Sequence, residues 1–173
     1  AAGTKLRKQQ LRDRLLAIHP VPASFDLTMR NAGALLTCGS PEGTASVLNR
    51  FSPARGDERR RWLMLRWQAA AAALDHQQAA LALRRLVDGN VATLDDITLA
   101  GPRNGLDALA DHEASRGRLQ VAALVLLQGD LQGVSGARRR GLAADWLAAS
   151  APQQADQLLA AALDQAAPNQ ASG

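Results

Sequence analysis

The scarcity of strand-forming side chains is the feature that most limits what this chain can fold into. The sequence of 173 residues contains no Tyr and only two Phe, and runs of Val, Ile or Thr are few. Hydrophobic residues make up 47% of the chain, but much of that fraction is alanine, which has the highest helix propensity and lets helices approach closely. We therefore expect an all-α fold, with enough chain for one domain or for a short repeat array.

Apolar residues recur at helical spacing in segments that end at turn-forming residues. A basic amphipathic helix is predicted over 4–18, and His19-Pro20-Val21-Pro22 ends it because proline disfavours helix in the residue before it. The expected organisation is a basic helix with a Pro-containing linker over 1–22, a single helical domain over 23–167 and a flexible polar tail over 168–173.

Four antiparallel helix pairs are predicted behind the basic first helix. Their within-pair turns fall near Gly39, Asp75, Gly117 and Ser150, with spacings of 36, 42 and 33 residues. These spacings are typical of helical-hairpin repeats, in which each unit stacks on the next to bury its apolar face. The sequence therefore predicts a helical-hairpin array, an α-solenoid, with a compact irregular bundle as the alternative.

Local signals indicate where several helices begin and end. Gly39 is expected to cap one helix, and Ser40-Pro41-Glu42 begins the next with a capping hydroxyl, a proline and an acid. Ser150-Ala151-Pro152-Gln153 is typical of a capping box. Asp57 is expected to cap a helix whose broad apolar face holds Trp62, Leu65, Ala69, Ala72 and Ala73.

Two segments are expected to interrupt the pairs. In 90–103, Asp95-Asp96 indicates the start of a short helix, where carboxylates complement the helix dipole. The segment as a whole is left open between a helix, a lid and a long loop. Residues 129–135 are expected to form a glycine-containing loop.

The second pair carries a family resemblance. In Leu74-Asp75-His76-Gln77-Gln78-Ala79-Ala80-Leu81-Ala82-Leu83, a small residue precedes a large apolar one in the second helix. This stretch resembles the turn and second helix of a tetratricopeptide-type repeat, and the fourth pair shares the pattern through Pro152, Ala155, Leu158 and Leu159. Trp67 stands where the first helix of that family has a small residue. The resemblance implies a right-handed, TPR-like α-solenoid with a concave surface that holds a peptide or a partner helix.

No catalytic, metal or cofactor motif is found. His19, His76 and His112 lack the i, i+4 spacing or the paired cysteines of a metal site, and the last two are expected to be a turn residue and an exposed helical residue. Cys38 lies on an apolar stripe near a helix C-terminus, where the helix dipole disfavours a thiolate, so we expect a buried structural cysteine. The chain is therefore expected to be non-catalytic and to bind no cofactor.

The sequence gives only general indications of the cellular compartment. A single cysteine fits a reducing compartment and is also compatible with the bacterial periplasm, and no apolar stretch approaches the roughly 18 to 20 residues of a membrane span. Because the sequence opens Ala1-Ala2-Gly3, a processed precursor or a trimmed chain is an expectation. The default is a soluble cytoplasmic protein, or a periplasmic one if an upstream signal or anchor was removed.

Charge layout supplies the only localised functional signal. Residues 1–140 carry all twenty Lys and Arg against thirteen acids, whereas 141–173 carry three Asp and no base. The triplets Arg59-Arg60-Arg61 and Arg138-Arg139-Arg140 are predicted to open the first helices of two pairs, although helix N-termini prefer acids. The candidate partner-binding residues are accordingly Arg59, Arg60, Arg66, Arg138, Arg139 and Arg140.

The favoured hypothesis is a protein–protein interaction module that binds an acidic peptide or protein through this basic face. The alternatives are a nucleic-acid-binding helical domain and a non-catalytic helical region of a larger envelope protein. The alternative without a binding role is that the arginines point in different directions around the helix and are solvated.

Overall fold

A computed structural model describes residues 2–17, 24–99 and 104–166 of the chain. Within these ranges the regular structure consists of nine α-helices and one 3₁₀ helix, with no strand and a single isolated β-bridge between Thr98 and Asn104. The all-α prediction is therefore confirmed. The linker expected to end at residue 22 and the tail expected over 168–173 lie outside the described residues.

The chain divides into two compact units, residues 1–86 and 87–173. The first unit contains five α-helices, which are α1 (Ala2–Ala17), α2 (Phe25–Thr37), α3 (Pro41–Asn49), α4 (Asp57–Ala72) and α5 (His76–Leu86). The second unit contains a 3₁₀ helix (Val91–Asp96) and four α-helices, which are α6 (Gly105–Ser115), α7 (Leu119–Leu126), α8 (Gly133–Leu147) and α9 (Pro152–Ala166).

Within each unit, consecutive helices pack against each other. In the first unit α2, α3, α4 and α5 contact one another in chain order, and α1 contacts α2 and α3. In the second unit α6, α7, α8 and α9 follow the same rule, and the 3₁₀ helix lies against α6. The turns predicted near Gly39, Asp75, Gly117 and Ser150 all connect two helices that pack on each other, which confirms their positions.

Three of these turns share one hydrogen-bonding geometry. In the first, the Gly39 amide donates to the Leu36 carbonyl and the Ser40 amide donates to the Leu35 carbonyl, at 2.9 Å each. This is a Schellman motif, which needs a left-handed residue, and Gly39 has φ of 74°. Gly117 fills the same position with φ of 75°, but in the turn between α4 and α5 the position is occupied by Leu74, with φ of 56°.

Small side chains let the helices of the first unit approach closely. Ala32 and Leu35 of α2 are buried against Val47 and Leu48 of α3. Thr44 reinforces this contact because its hydroxyl donates to the carbonyl of Ala32 at 3.1 Å.

The buried face of α4 differs from the predicted one. The residues of α4 that are buried are Leu63, Trp67, Ala69 and Ala70, whereas Ala72 and Ala73 are exposed. Trp62 and Leu65 are half-buried against the α2–α3 core, where the Trp62 indole donates to the Leu48 carbonyl at 3.0 Å. The reason is that α4 contacts both α3 and α5, so it buries two sides rather than one broad face.

The second unit has an alanine-rich core beside a deeply buried α6. Ala123, Ala143, Ala144, Leu147 and Ala155 form a buried cluster from α7, α8 and α9. Most residues of α6 are buried because this helix contacts both α7 and the 3₁₀ helix. His112 is consequently only 5% exposed, and the expectation that it is an exposed helical residue is wrong.

Three expected helix limits in the second unit are also wrong. Asp95 and Asp96 end the 3₁₀ helix rather than beginning an α-helix. Helix α8 begins inside the expected loop, at Gly133. Ser150 does not cap α9, since its hydroxyl faces back to the Leu147 carbonyl at 3.5 Å while the Ala151 carbonyl accepts from the Ala155 amide. Ser150 therefore belongs to the turn at the end of α8, and Ala151 precedes the first residue of α9.

No helix in the described ranges is both long enough and apolar enough to cross a bilayer.

The left-handed turn residues give a stability prediction. Leu74 is 73% exposed, so Leu74→Gly removes the left-handed strain of a branched side chain at little loss of packing. We expect this variant to gain about 0.5–1 kcal/mol of unfolding free energy, and Gly39→Ala to lose about 1 kcal/mol for the converse reason. Urea denaturation followed by circular dichroism measures both. A stabilised Gly39→Ala variant would contradict the account of these turns.

Candidate partner-binding grooves

The six predicted arginines are distributed over the two units. Arg59, Arg60 and Arg66 lie on α4 of the first unit, and Arg138, Arg139 and Arg140 lie on α8 of the second. The triplet of α4 follows Asp57 and Glu58 in the first turns. The triplet of α8 does not open its helix as expected, because α8 begins five residues before Arg138.

Arg139 is bound inside the second unit. Its side chain is 6% exposed, and its two terminal nitrogens donate to the two carboxylate oxygens of Asp95 at 2.5 and 2.9 Å. The Nε atom donates to Asp107 at 2.9 Å, and one terminal nitrogen also donates to the Asp130 carbonyl at 3.0 Å. Such bidentate pairing is the strongest geometry that a guanidinium adopts with a carboxylate.

Asp95 is the second centre of the same network. Its carboxylate also accepts from the Asn104 side-chain amide at 2.9 Å and from the Asp130 backbone amide at 2.6 Å. The hydrogen bond from Arg139 is the main reason that the pKa of Asp95 lies below its ordinary value, while the bond to Asp95 raises the pKa of Arg139. A side chain at Gly129 would come within 2.5 Å of the Arg139 guanidinium, so glycine allows the chain to pass this pair. The network fastens the 3₁₀ helix and the α7–α8 connection to α8.

The two flanking arginines are also engaged within the second unit. Arg140 donates to the Leu131 carbonyl at 2.7 Å and to the side-chain oxygen of Gln165, which links α8 to α9. Arg138 is 70% exposed and forms a 3.3 Å ion pair with Asp107. Arg138 is therefore the residue of this triplet whose guanidinium is mostly exposed to solvent.

On α4, Arg66 lies in a groove of about 490 Å³ formed by α3, α4 and the start of α5. Its guanidinium donates to the Asn49 side chain at 2.6 Å and stacks over the Trp62 ring at 4.9 Å. Burial, followed by repulsion from Arg85, lowers the pKa of Arg66. Since Glu42 and Asp75 line the same groove, its charges are mixed.

A more strongly basic groove lies between α2 and α4. It has a volume of about 450 Å³ and an apolar surface formed by Met29, Met64 and Leu65. Three basic side chains line it as well, namely Arg30, Arg60 and Arg61, and Gly33 and Gln68 complete the lining. We call this the arginine–methionine groove. It contains Arg60 of the predicted set, whereas Arg59 is half-buried and lines neither groove.

The arginine–methionine groove runs along α4. Arg60, Met64 and Gln68 follow one another at intervals of four residues, so they form a row about 12 Å long on one face of the helix. On α2, a Cβ atom at Gly33 would meet no other atom within 4 Å, so open space lies above this glycine.

The charges at this groove are only partly neutralised. Arg61 forms a 3.7 Å ion pair with Asp26 and lies over the Phe25 ring, but both partners of the ion pair are mostly exposed. In the described part of the chain, no carboxylate forms an ion pair with Arg30 or Arg60. The groove therefore combines apolar surface with available positive charge.

Sequence reasoning missed most of this groove, although a signal was present. Met29 and Met64 are the only methionines of the chain, and each lies next to or one turn after an arginine. The pairs Arg60–Met64 and Arg61–Leu65 have the i, i+4 spacing that places a charge and an apolar group on one helix face.

In the described ranges, no cluster of three or more His, Cys, Asp or Glu is arranged to hold a metal ion. Cys38 is half-buried at the C-terminal end of α2 rather than buried in the core. Comparison of the chain with protein families, with curated proteins and with solved structures finds no match.

The Arg139 network predicts that replacing Arg139 destabilises the fold much more than replacing its neighbour Arg138. Arg139→Met leaves the partly buried Asp95 without its main partner and Asp107 with only the exposed Arg138, and we expect a loss of about 3 kcal/mol of unfolding free energy. Arg138→Met removes the same charge from the exposed neighbour and is expected to cost less than about 1 kcal/mol. Equal losses in urea denaturation would contradict the network.

The lowered pKa of Asp95 predicts acid sensitivity. A carboxyl group whose folded pKa is lowered stabilises the fold above its unfolded pKa, about 3.9, and this contribution disappears as the pH falls through the folded value. We expect the urea concentration at the unfolding midpoint of the wild type to decrease once the pH is lowered below about 4. Asp95→Asn should be less stable at neutral pH and show a shallower acid loss. An unchanged acid slope in this variant is the contrary result.

Proposed function

We propose that this chain is a non-catalytic protein-binding module whose arginine–methionine groove holds an acidic amphipathic helix. The observation that carries the proposal is the combination, in one groove, of the apolar surface of Met29, Met64 and Leu65 with the charges of Arg30, Arg60 and Arg61. Helices bind grooves of this type through apolar anchors one turn apart, flanked by complementary charges.

The lining supports both halves of this recognition. Methionine side chains are unbranched and polarisable, so Met29 and Met64 suit apolar anchors of different shape. Arginine side chains bind carboxylates with fixed, often bidentate geometry, so Arg30 and Arg60 suit Asp or Glu beside those anchors. The expected ligand therefore has Leu or Phe at i and i+4 and acids on the same face.

The charge of the first unit supports an acidic partner. Residues 1–86 carry fourteen Lys and Arg against six Asp and Glu, a net of +8, whereas residues 87–173 carry six against ten, a net of −4. A field of this sign speeds the approach of an acidic ligand to the first unit and weakens that of basic ones.

The scaffold fits the same role. We propose that the packed helix pairs belong to a TPR-like helical-hairpin array, in which short connections leave helix faces open for ligands. The resemblance of residues 74–83 to such repeats and the Schellman turns within the pairs support this arrangement.

A labelled helical peptide tests the proposal. The probe is an alanine- and glutamine-based peptide with two leucines at i and i+4 flanked by aspartates, and its counterpart carries lysines instead of aspartates. We expect the acidic peptide to bind in fluorescence anisotropy and Arg30→Glu/Arg60→Glu to weaken it by about tenfold or more, because attraction becomes repulsion in the groove.

The matched control is Arg50→Glu/Arg55→Glu, which makes the same charge change at exposed positions outside the groove. Its effect should be at least several-fold smaller than that of the groove variant. If the control weakens binding as much, the peptide senses net charge only and the groove assignment is wrong.

Nucleic-acid binding is the second candidate, and α1 is the observation that favours it. Its five basic residues, Lys5, Arg7, Lys8, Arg12 and Arg14, are all exposed. Binding of this kind weakens steeply with salt because phosphate contacts release counterions. Fluorescent single- and double-stranded oligonucleotides titrated at two salt concentrations decide this alternative, and the absence of salt-dependent binding removes it.

A further inference from the structure

We infer that the ligand of the arginine–methionine groove is a second copy of this chain, whose helix α9 occupies it. This inference rests on the proposed function, because it names the partner of the same groove. It also accounts for an apolar helix face in the second unit that the described residues leave uncovered.

Helix α9 has the composition that the groove requires. It packs on α8 through Ala155 and Ala162, while Leu159 and Leu163 are 46% and 64% exposed. These two leucines are separated by one helical turn, so they form a pair of anchors at i and i+4. Together the two leucines form a short exposed apolar stripe on α9, which is a surface to which an apolar groove can bind.

The charges of α9 complement those of the groove. The helix carries Asp156 and Asp164, both exposed, and no basic residue. Asp156, Leu159 and Leu163 have the spacing i, i+3 and i+7, which places an acid beside the leucine pair on one face. The two units repeat this complementarity on a larger scale, since the first carries a net charge of +8 and the second −4.

The dimensions of the two surfaces agree. The acidic apolar stripe from Asp156 to Leu163 extends about 10 Å along α9, and the row from Arg60 to Gln68 extends about 12 Å along α4. When the leucine pair contacts Met29, Met64 and Leu65, Asp156 on the same face is within reach of the arginines that line the groove.

This contact joins two different surfaces, the groove of one copy and α9 of the next. Two copies that exchange α9 reciprocally fill both grooves in a two-fold dimer. A one-way contact leaves one groove and one α9 unoccupied, so assembly then continues into a ring or an open chain. Because charge attraction contributes, salt should weaken the assembly.

Sedimentation of the full chain tests the inference. We expect the average molecular mass of the wild type to rise with concentration between about 1 μM and 1 mM, and to rise less at high salt. Arg30→Glu/Arg60→Glu should remain monomeric, and so should Leu159→Lys/Leu163→Lys. The control Gln154→Lys/Ala161→Lys adds the same charge at exposed positions on another face of α9 and should assemble as the wild type does.

Mixing the two monomeric variants tests the head-to-tail geometry. The groove variant keeps an intact α9 and the helix variant keeps an intact groove, so the mixture should form a one-to-one complex and nothing larger. A mixture that stays monomeric overturns the inference, as does a wild type that is monomeric throughout. Circular dichroism of each variant establishes that it is folded.

The outcome also separates this inference from the proposed function. If the acidic probe peptide binds the groove and the wild type stays monomeric, the groove is a peptide site for another partner and the inference about α9 is wrong. If the chain assembles but the groove variant still assembles, α9 and the groove do not form the contact. If neither peptide nor a second copy binds, both proposals fail.

Discussion

Close approach between consecutive helices is the constraint on which the rest of the structure depends. Alanine is the most frequent buried residue in the described part of the chain, so the helix axes must come near each other before dispersion forces and apolar burial contribute enough. Short connections impose that approach, and a left-handed residue at Gly39, Leu74 or Gly117 reverses the chain while it satisfies the last carbonyls of the helix.

The second unit adds a polar constraint to this packing. Arg139 and Asp95 join α8 to a segment whose regular structure is six residues of 3₁₀ helix, which also buries Val91 and Leu94. A guanidinium in this position is stabilising only because the carboxylates of Asp95 and Asp107 and the Asp130 carbonyl accept four hydrogen bonds from it. The first unit has the opposite arrangement at α4, where Arg60 remains exposed beside methionines. Arg139 and Arg140 of the second triplet therefore hold elements of the fold together, whereas Arg60 and Arg61 of the first triplet line an exposed groove.

The sequence predicted those features that depend on neighbouring residues. Alanine content and the scarcity of strand formers indicated helices, and the signals at Gly39 and Asp75 placed two turns correctly. The Arg139–Asp95 pair could not be predicted, because its members are 44 residues apart and only the packed unit brings them together. The groove was missed for a related reason. Its residues come from α2 and α4, and the register in which two helices pack is not determined by the periodicity of either one.

The central claim is that the groove between α2 and α4 binds an acidic amphipathic helix. Because Met29 and Met64 are the only methionines and both line this groove, their ¹³C-labelled methyl groups give two NMR signals that report on it alone. The account predicts that both signals shift, in a saturable manner, when the acidic peptide is added, and that neither responds to the lysine counterpart. Binding of the acidic peptide that leaves both methyl signals unchanged would contradict the claim.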